Sequence, residues 1–168
     1  MYQNSNNTGA GRLYSVLQKT PQAVAQMRGS ARHSKLSGTV KFYRARRGVL
    51  VVAEIVGLPV ARGACDGGVF AFHIHGGASC TGTGEDPFAD AGSHYDPYGC
   101  PHPYHAGDMP PLFGAGGEAF LAFFTDRFTV DEILGKTVII HGGADDFTSQ
   151  PAGNAGNKIA CGVIRGTG

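Results

Sequence analysis

Six of the seven histidines fall between positions 73 and 141, each closing an apolar run or lying in a loop dense in glycine, proline and aspartate. Such clustering favours folds that bring distant stretches of chain to one place. His73-Ile74-His75 ends the run Val69–His75. Strand side chains alternate between faces, so both imidazoles share one face while Ile74 enters the other. A strand offers two ligands to one metal in this way, and the same spacing serves mononuclear zinc enzymes. His141 closes a second apolar run, Thr137–His141, and brings a third imidazole to a strand end. A loop supplies His94-x7-His102-x2-His105-x2-Asp108, three imidazoles and a carboxylate within fifteen residues, the donor types of a tetrahedral zinc site. Imidazole suits copper as well as zinc, so ligand type leaves the metal open. Seven candidate ligands are too many for one centre and fit two centres that share a residue. His33 stands apart and reads as a solvated surface side chain.

Around these histidines the pattern is that of strands. Alternating β-branched and aromatic residues predict strands at Ala23–Arg28, Gly38–Arg44, Val49–Val56, Val69–His75, Ala119–Thr125, Thr137–His141 and Ile159–Ile164, with Phe128–Leu134 a weaker eighth. Arg46-Arg47-Gly48 reads as a hairpin connection. Two long loops, Gly76–Glu118 and Gly142–Lys158, hold much of the glycine, and loops of that length in a compact domain are normally functional. Residues 1–20 are polar and read as a loosely held N-terminal arm before a domain over 21–168. With 27 glycines and 9 prolines among 168 residues, the expectation is an all-β fold: an antiparallel sandwich or barrel of about eight strands with two long loops.

The net charge is +1, which gives no reason to expect a nucleic-acid partner. Its sign is unevenly spread: ten Lys/Arg against Glu54 alone over residues 1–62, and four against twelve acids over 63–168. This reads either as basic and acidic faces that meet within the fold or across a homodimer, or as a basic surface for an acidic partner. No stretch approaches the length of a membrane span. Met1 to Gln18 lacks the charged start and apolar centre of a secretory leader, so the address is cytoplasmic as numbered, or extracytoplasmic if a leader has been removed. Four cysteines (Cys65, Cys80, Cys100, Cys161) sit awkwardly with a reducing compartment, and location stays open.

The motifs Phe72-His73-Ile74-His75, Ala91-Gly92-Ser93-His94-Tyr95-Asp96-Pro97, His105-Ala106-Gly107-Asp108-Met109-Pro110, His141-Gly142-Gly143-Ala144-Asp145-Asp146 and Gly153-Asn154-Ala155-Gly156-Asn157-Lys158-Ile159-Ala160-Cys161-Gly162-Val163-Ile164 follow one another in the order of a known family. Over about Leu36 to Ile164 the chain resembles copper/zinc superoxide dismutases of the bacterial subtype. That resemblance implies an eight-stranded Greek-key sandwich, or flattened barrel, that binds copper and zinc and takes superoxide as substrate. By position, His73, His75, His94 and His141 resemble the copper ligands. His94, His102, His105 and Asp108 resemble the zinc ligands, with His94 as the bridging, catalytic imidazolate. Asp145 matches a carboxylate that accepts hydrogen bonds from one ligand of each metal. Cys80 and Cys161 match the family's disulfide. Cys65 and Cys100 are left over, either as a second bridge anchoring the zinc loop, as free thiols, or with Cys100 as a ligand.

Two positions depart from the family pattern. Lys158 stands where the family carries arginine beside copper; it keeps the charge that attracts an anion but loses the two-pronged donor, which implies slower turnover. Only Pro103 and Tyr104 separate His102 from His105, a shorter segment than usual, which implies strain or weaker zinc binding. The rival readings are a non-enzymatic metal-binding protein on the same fold and a mononuclear zinc hydratase or hydrolase using His73, His75 and His141. The latter leaves the His102–Asp108 cluster unexplained.

Overall fold

The computed structural model describes residues 9–60, 63 and 67–168. In chain order its elements are α1 (Gly9–Leu17), β1 (Ala23–Gly29), β2 (Ser37–Ala45), β3 (Gly48–Val56), β4 (Val69–Phe70), β5 (Phe72–His75), β6 (Leu112–Phe113), β7 (Glu118–Thr125), α2 (Val130–Ile133), β8 (Thr137–His141) and β9 (Lys158–Gly166). Seven strands form one antiparallel sheet in the order β5-β8-β9-β1-β2-β3-β7, and β4 pairs with β6 in a short ribbon. β4 runs straight into β5 at one edge of the sheet, and β6 shortly precedes β7 at the other. The ribbon therefore spans the two edges of a curled sheet. The chain crosses from β3 to β5 at the far edge and back to β7, leaving β8 and β9 to fill in beside β5.

Alternation explains the core. Val40 and Phe42 of β2, Val49, Val51, Ala53 and Ile55 of β3, Phe72 and Ile74 of β5, and Val138 and Ile140 of β8 all enter one buried cluster. Each large side chain buried there contributes about 1.5–3 kcal/mol. Ala45 pairs with Gly48 across the expected Arg46-Arg47 turn. At Gly48, with φ at 108°, a Cβ would stand 2.1 Å from the Thr125 carbonyl oxygen, so the end of β7 can approach this turn only because position 48 is glycine.

Four segments differ from expectation. Within the N-terminal arm, residues 9–17 form a helix whose Val16 packs with Tyr43, Leu50 and Val52 on the outer face of β2 and β3. The run Val69–His75 is two strands, because the Ala71 N–H leaves the ladder for the Gly143 carbonyl. Phe128–Leu134 is not a strand. Thr129 caps a short helix there, its hydroxyl accepting from the Glu132 N–H while the Glu132 carboxylate accepts from the Thr129 N–H. Inside the first long loop, Leu112–Phe113 forms a strand too short for any periodicity to mark. Among the described residues no helix is long and apolar enough to cross a membrane.

Candidate metal centre

β5 is an edge strand of the main sheet, and both of its sides are used. On one side it pairs with β8, His73 opposite Ile139 and His75 opposite Thr137. Val138 and Ile140 point into the core, so His141 at the end of β8 faces the same side as His73 and His75. On the other side the first long loop folds back as two makeshift strands, with His75 bridged to His94 and His73 to Asp108. The Ile74 N–H donates to the Gly107 carbonyl and the Tyr95 N–H to the Ile74 carbonyl, each at 2.8 Å. A Cβ at position 107 would lie 2.2 Å from the Ile74 oxygen, so this stitching requires glycine.

Backbone carbonyls decide which ring nitrogen of each histidine stays bare, since a carbonyl can only accept. His75 donates through Nδ1–H to the Gly92 carbonyl at 2.7 Å, and His141 through Nδ1–H to the Gly156 carbonyl at 3.2 Å. Their Nε2 atoms, each with a lone pair, then face one another at 3.3 Å. Two lone pairs at that distance repel unless a cation lies between them. His73 donates Nε2–H to Asp145 Oδ2 at 2.7 Å, which leaves its Nδ1 bare. Both His73 Nδ1 and His94 Nε2 are buried without a hydrogen-bond partner. Ligand atoms of His73, His75, His94 and His141 all lie within 4.8 Å of one another.

A second set shares His94. Its Nδ1 is 2.7 Å from Asp108 Oδ1, and His105 Nδ1 is 3.4 Å from that same nitrogen. His102 donates Nε2–H to Asp145 Oδ1 at 2.9 Å, leaving Nδ1 bare. That Nδ1 lies 3.1 Å from Asp108 Oδ2 yet makes no hydrogen bond to it, as befits two ligands aimed at a common point. Atoms of His94, His102, His105 and Asp108 are likewise within 4.8 Å of one another. Asp145 thus accepts from one ring of each set. Gly153, at φ 65°, makes room for it, because a Cβ there would meet Asp145 Oδ1 at 2.0 Å.

Burial first, and then the neighbouring rings, push His73 down to about 3, against the raising effect of Asp145. Burial likewise takes His75 to about 2 and His141 to about 4. Burial would raise Asp108, but the His94 hydrogen bond and the surrounding imidazoles outweigh it and hold the carboxyl at about 2. At neutral pH these three rings are neutral and this carboxylate is charged, the states in which such groups bind metal. Bare, converging nitrogens fit a cation in both sets: an all-imidazole set suits copper or zinc, and a set with one carboxylate suits zinc.

The family model described as "Copper/zinc superoxide dismutase (SODC)" matches residues 36–164. The chain belongs to the copper/zinc superoxide dismutase family. It is 33% identical over 151 residues to a Superoxide dismutase [Cu-Zn] of Deinococcus radiodurans, covering 78% of each chain. It is 34% identical over 143 residues to Superoxide dismutase [Cu-Zn] 2 of Aquifex aeolicus, covering 76% of this chain and 78% of that one. Among solved structures it is similar to a double mutant of a SOD-like protein from Bacillus subtilis. There the TM-score is 0.69 at 28% identity, over 85% of this chain and 97% of the other.

As a member of the superoxide dismutase family the chain carries the disulfide that the resemblance implied, Cys80–Cys161, which ties the first long loop to β9. Cys65 lies outside the described residues, and Cys100 has a free, half-buried thiol. His33, half-buried, meets Ser30 Oγ at 3.1 Å, away from both donor sets. Lys158 lines a cavity of about 580 Å3 together with His75, His94 and His141. Three further residues bear on the site without any local pattern to announce them. Asp86 pairs with Lys158. Gln150 clamps the backbone of His102, accepting from its N–H at 2.9 Å and donating to its carbonyl at 2.7 Å. Arg127 Nη1 lies 2.9 Å from the Pro103 carbonyl, 3.3 Å from that of His105 and 3.4 Å from that of Asp108, bracing the short segment that carries the second donor set.

Proposed function

We propose that this chain converts two superoxide ions and two protons into dioxygen and hydrogen peroxide. Copper is held by His73, His75, His94 and His141, and zinc by His94, His102, His105 and Asp108. One observation carries the reading: a single ring, His94, has Nδ1 2.7 Å from a carboxylate of one donor set and a buried, unpartnered Nε2 in the other. Copper there would supply one-electron redox chemistry, and zinc, with its filled d shell, would supply only charge and position.

The protein's own groups do the rest. His94 holds a proton at Nε2 between the two half-reactions and gives it to the product, acting as a positioned acid. Asp145 fixes the tautomers of His73 and His102 through their Nε2–H groups, so that both Nδ1 atoms stay available. Lys158 is the ammonium in the cavity that attracts the substrate anion. The catalytic unit is 21–168. In support, α1 sits against β2, which β9 and β1 separate from β8.

Loading the purified chain with copper and zinc, counting both metals and following superoxide consumption tests the proposal. The expected result is one equivalent of each metal and superoxide consumption well beyond that of free copper. Full metal uptake with no consumption beyond that of free copper would leave a metal-binding protein and overturn the enzymatic reading.

A further inference from the structure

The cavity on the copper side is not an open cationic funnel. Besides Lys158 its charged lining is Glu85, Asp86 and Asp96, three carboxylates against one ammonium. Lys158 Nζ donates to Asp86 Oδ2 at 2.5 Å, and the lysine side chain is only 16% exposed. Main-chain pairing sets Lys158 opposite His141, and both residues line the cavity.

Asp86 is held in place rather than drifting on a surface loop. Its Oδ1 accepts from the Phe88 N–H, its own N–H donates to Thr83 Oγ1, and its carbonyl accepts from the Thr83 N–H. Phe88 is buried against Ile139 and Cys161, and the disulfide pins the same loop to β9. Burial would raise the Asp86 carboxyl, yet Lys158 and the Phe88 N–H outweigh it and hold it below the usual range. A carboxylate presented so firmly competes with any anion that approaches the ammonium.

We propose that Asp86 is an internal competitor for Lys158, a latch that an anionic substrate must displace in order to use that ammonium. This rests on the dismutase reading for the identity of the substrate, but not for the latch itself. Asp86→Asn keeps the acceptor for the Phe88 N–H while removing the charge that binds Lys158. Glu85→Gln removes the same net charge from the cavity lining without touching the pair.

The experiment is an azide titration of the copper- and zinc-loaded protein by its charge-transfer absorption, alongside superoxide consumption at several ionic strengths. In Asp86→Asn, azide should bind about tenfold more tightly and the superoxide rate should rise with a steeper salt dependence. Glu85→Gln should move azide binding far less. Adding Lys158→Met to Asp86→Asn should abolish the gain. Azide affinity within twofold of the parent in Asp86→Asn overturns the latch, as does an equal gain in Glu85→Gln or a gain that survives loss of Lys158. A parent protein that binds azide but consumes no superoxide would sink the dismutase reading, while the azide comparison still decides the latch.

Discussion

Replacing Asp145 with asparagine should damage the two donor sets unequally, and the structure says which one suffers more. In the parent, Oδ1 accepts twice, from His102 Nε2–H at 2.9 Å and from the Phe147 N–H at 2.7 Å, whereas Oδ2 accepts once, from His73 Nε2–H at 2.7 Å. An asparagine side chain keeps one acceptor and turns the other position into an NH2 donor. The oxygen belongs where two donors converge, so the NH2 faces His73 Nε2. Two donors cannot meet there. His73 must either lose the contact or move its proton to Nδ1, the atom needed for copper. A hydrogen bond to a charged group is worth roughly 1.5–3 kcal/mol, or about 10–100-fold in affinity.

The assay is copper competition against a chromophoric chelator, with cobalt(II) absorption reporting the zinc-side set separately. Asp145→Asn should weaken copper by about 10–100-fold and cobalt by less than half of that on a logarithmic scale. Asp145→Ala, which leaves both rings without their acceptor, should weaken both. Equal losses in the asparagine variant, or a larger loss on the cobalt side, would refute the assignment of tautomers.

Three further outcomes follow from the same geometry. Opening Cys80–Cys161, which spans a sequence separation of 81, should destabilise the metal-free protein by ~4.5 kcal/mol on the loop-entropy relation. Calorimetry of the Cys80→Ser/Cys161→Ser protein should show a melting point roughly 10–15 °C lower, and a drop below about 2 °C would refute it. Gln150→Ala should weaken cobalt binding by about tenfold and copper binding by much less, because its amide holds the His102 backbone and reaches the copper-side rings only through Asp145. The pKa values of His73, His75 and His141 are lowered by folding, so below pH 6.5 the unfolded chain binds protons that the fold refuses. Stability of the metal-free protein therefore falls as pH falls from about 6.5 toward 4, by up to ~4 kcal/mol per unit, and a melting point that stays flat between pH 6.5 and 5 would contradict this.

Whatever repeats on a short period could be read in the chain directly, whereas His94, His102, His105 and Asp108 were marked by residue type in a loop and Asp145 by the family resemblance. His73 and His75 on one face follow from alternation, and the apolar run Thr137–His141 brought a third imidazole to a strand end. The strands over 23–56 were legible for the same reason. The apolar residues of Phe128–Leu134 suggested a strand, and the capping pair of Thr129 and Glu132 makes a short helix of it instead. Asp86, Arg127 and Gln150 were not legible. Asp86 meets Lys158 across 72 residues and Gln150 meets His102 across 48. Arg127 and Gln150 bond backbone groups, which every residue carries. A contact with a carbonyl leaves no trace in the identity of its partner.

The two donor sets are joined twice, once through the ring of His94 and once through the carboxylate of Asp145. Each link runs between atoms that a bound cation would hold still. Filling the set of His102, His105 and Asp108 fixes His94 Nδ1, and so aims Nε2 at the other set. It also fixes His102, and through Asp145 the proton on His73 Nε2. The same chain of contacts runs in reverse from His73, and binding free energies must be reciprocal. The carbonyls of Gly92 and Gly156 stand outside this loop of contacts, each orienting one ring from the backbone alone. His75 and His141 are therefore oriented by the backbone alone, whereas His73 and His94 also make contacts that reach the neighbouring set. Copper titration with the other set filled and empty should therefore give different affinities, and equal affinities would contradict this coupling.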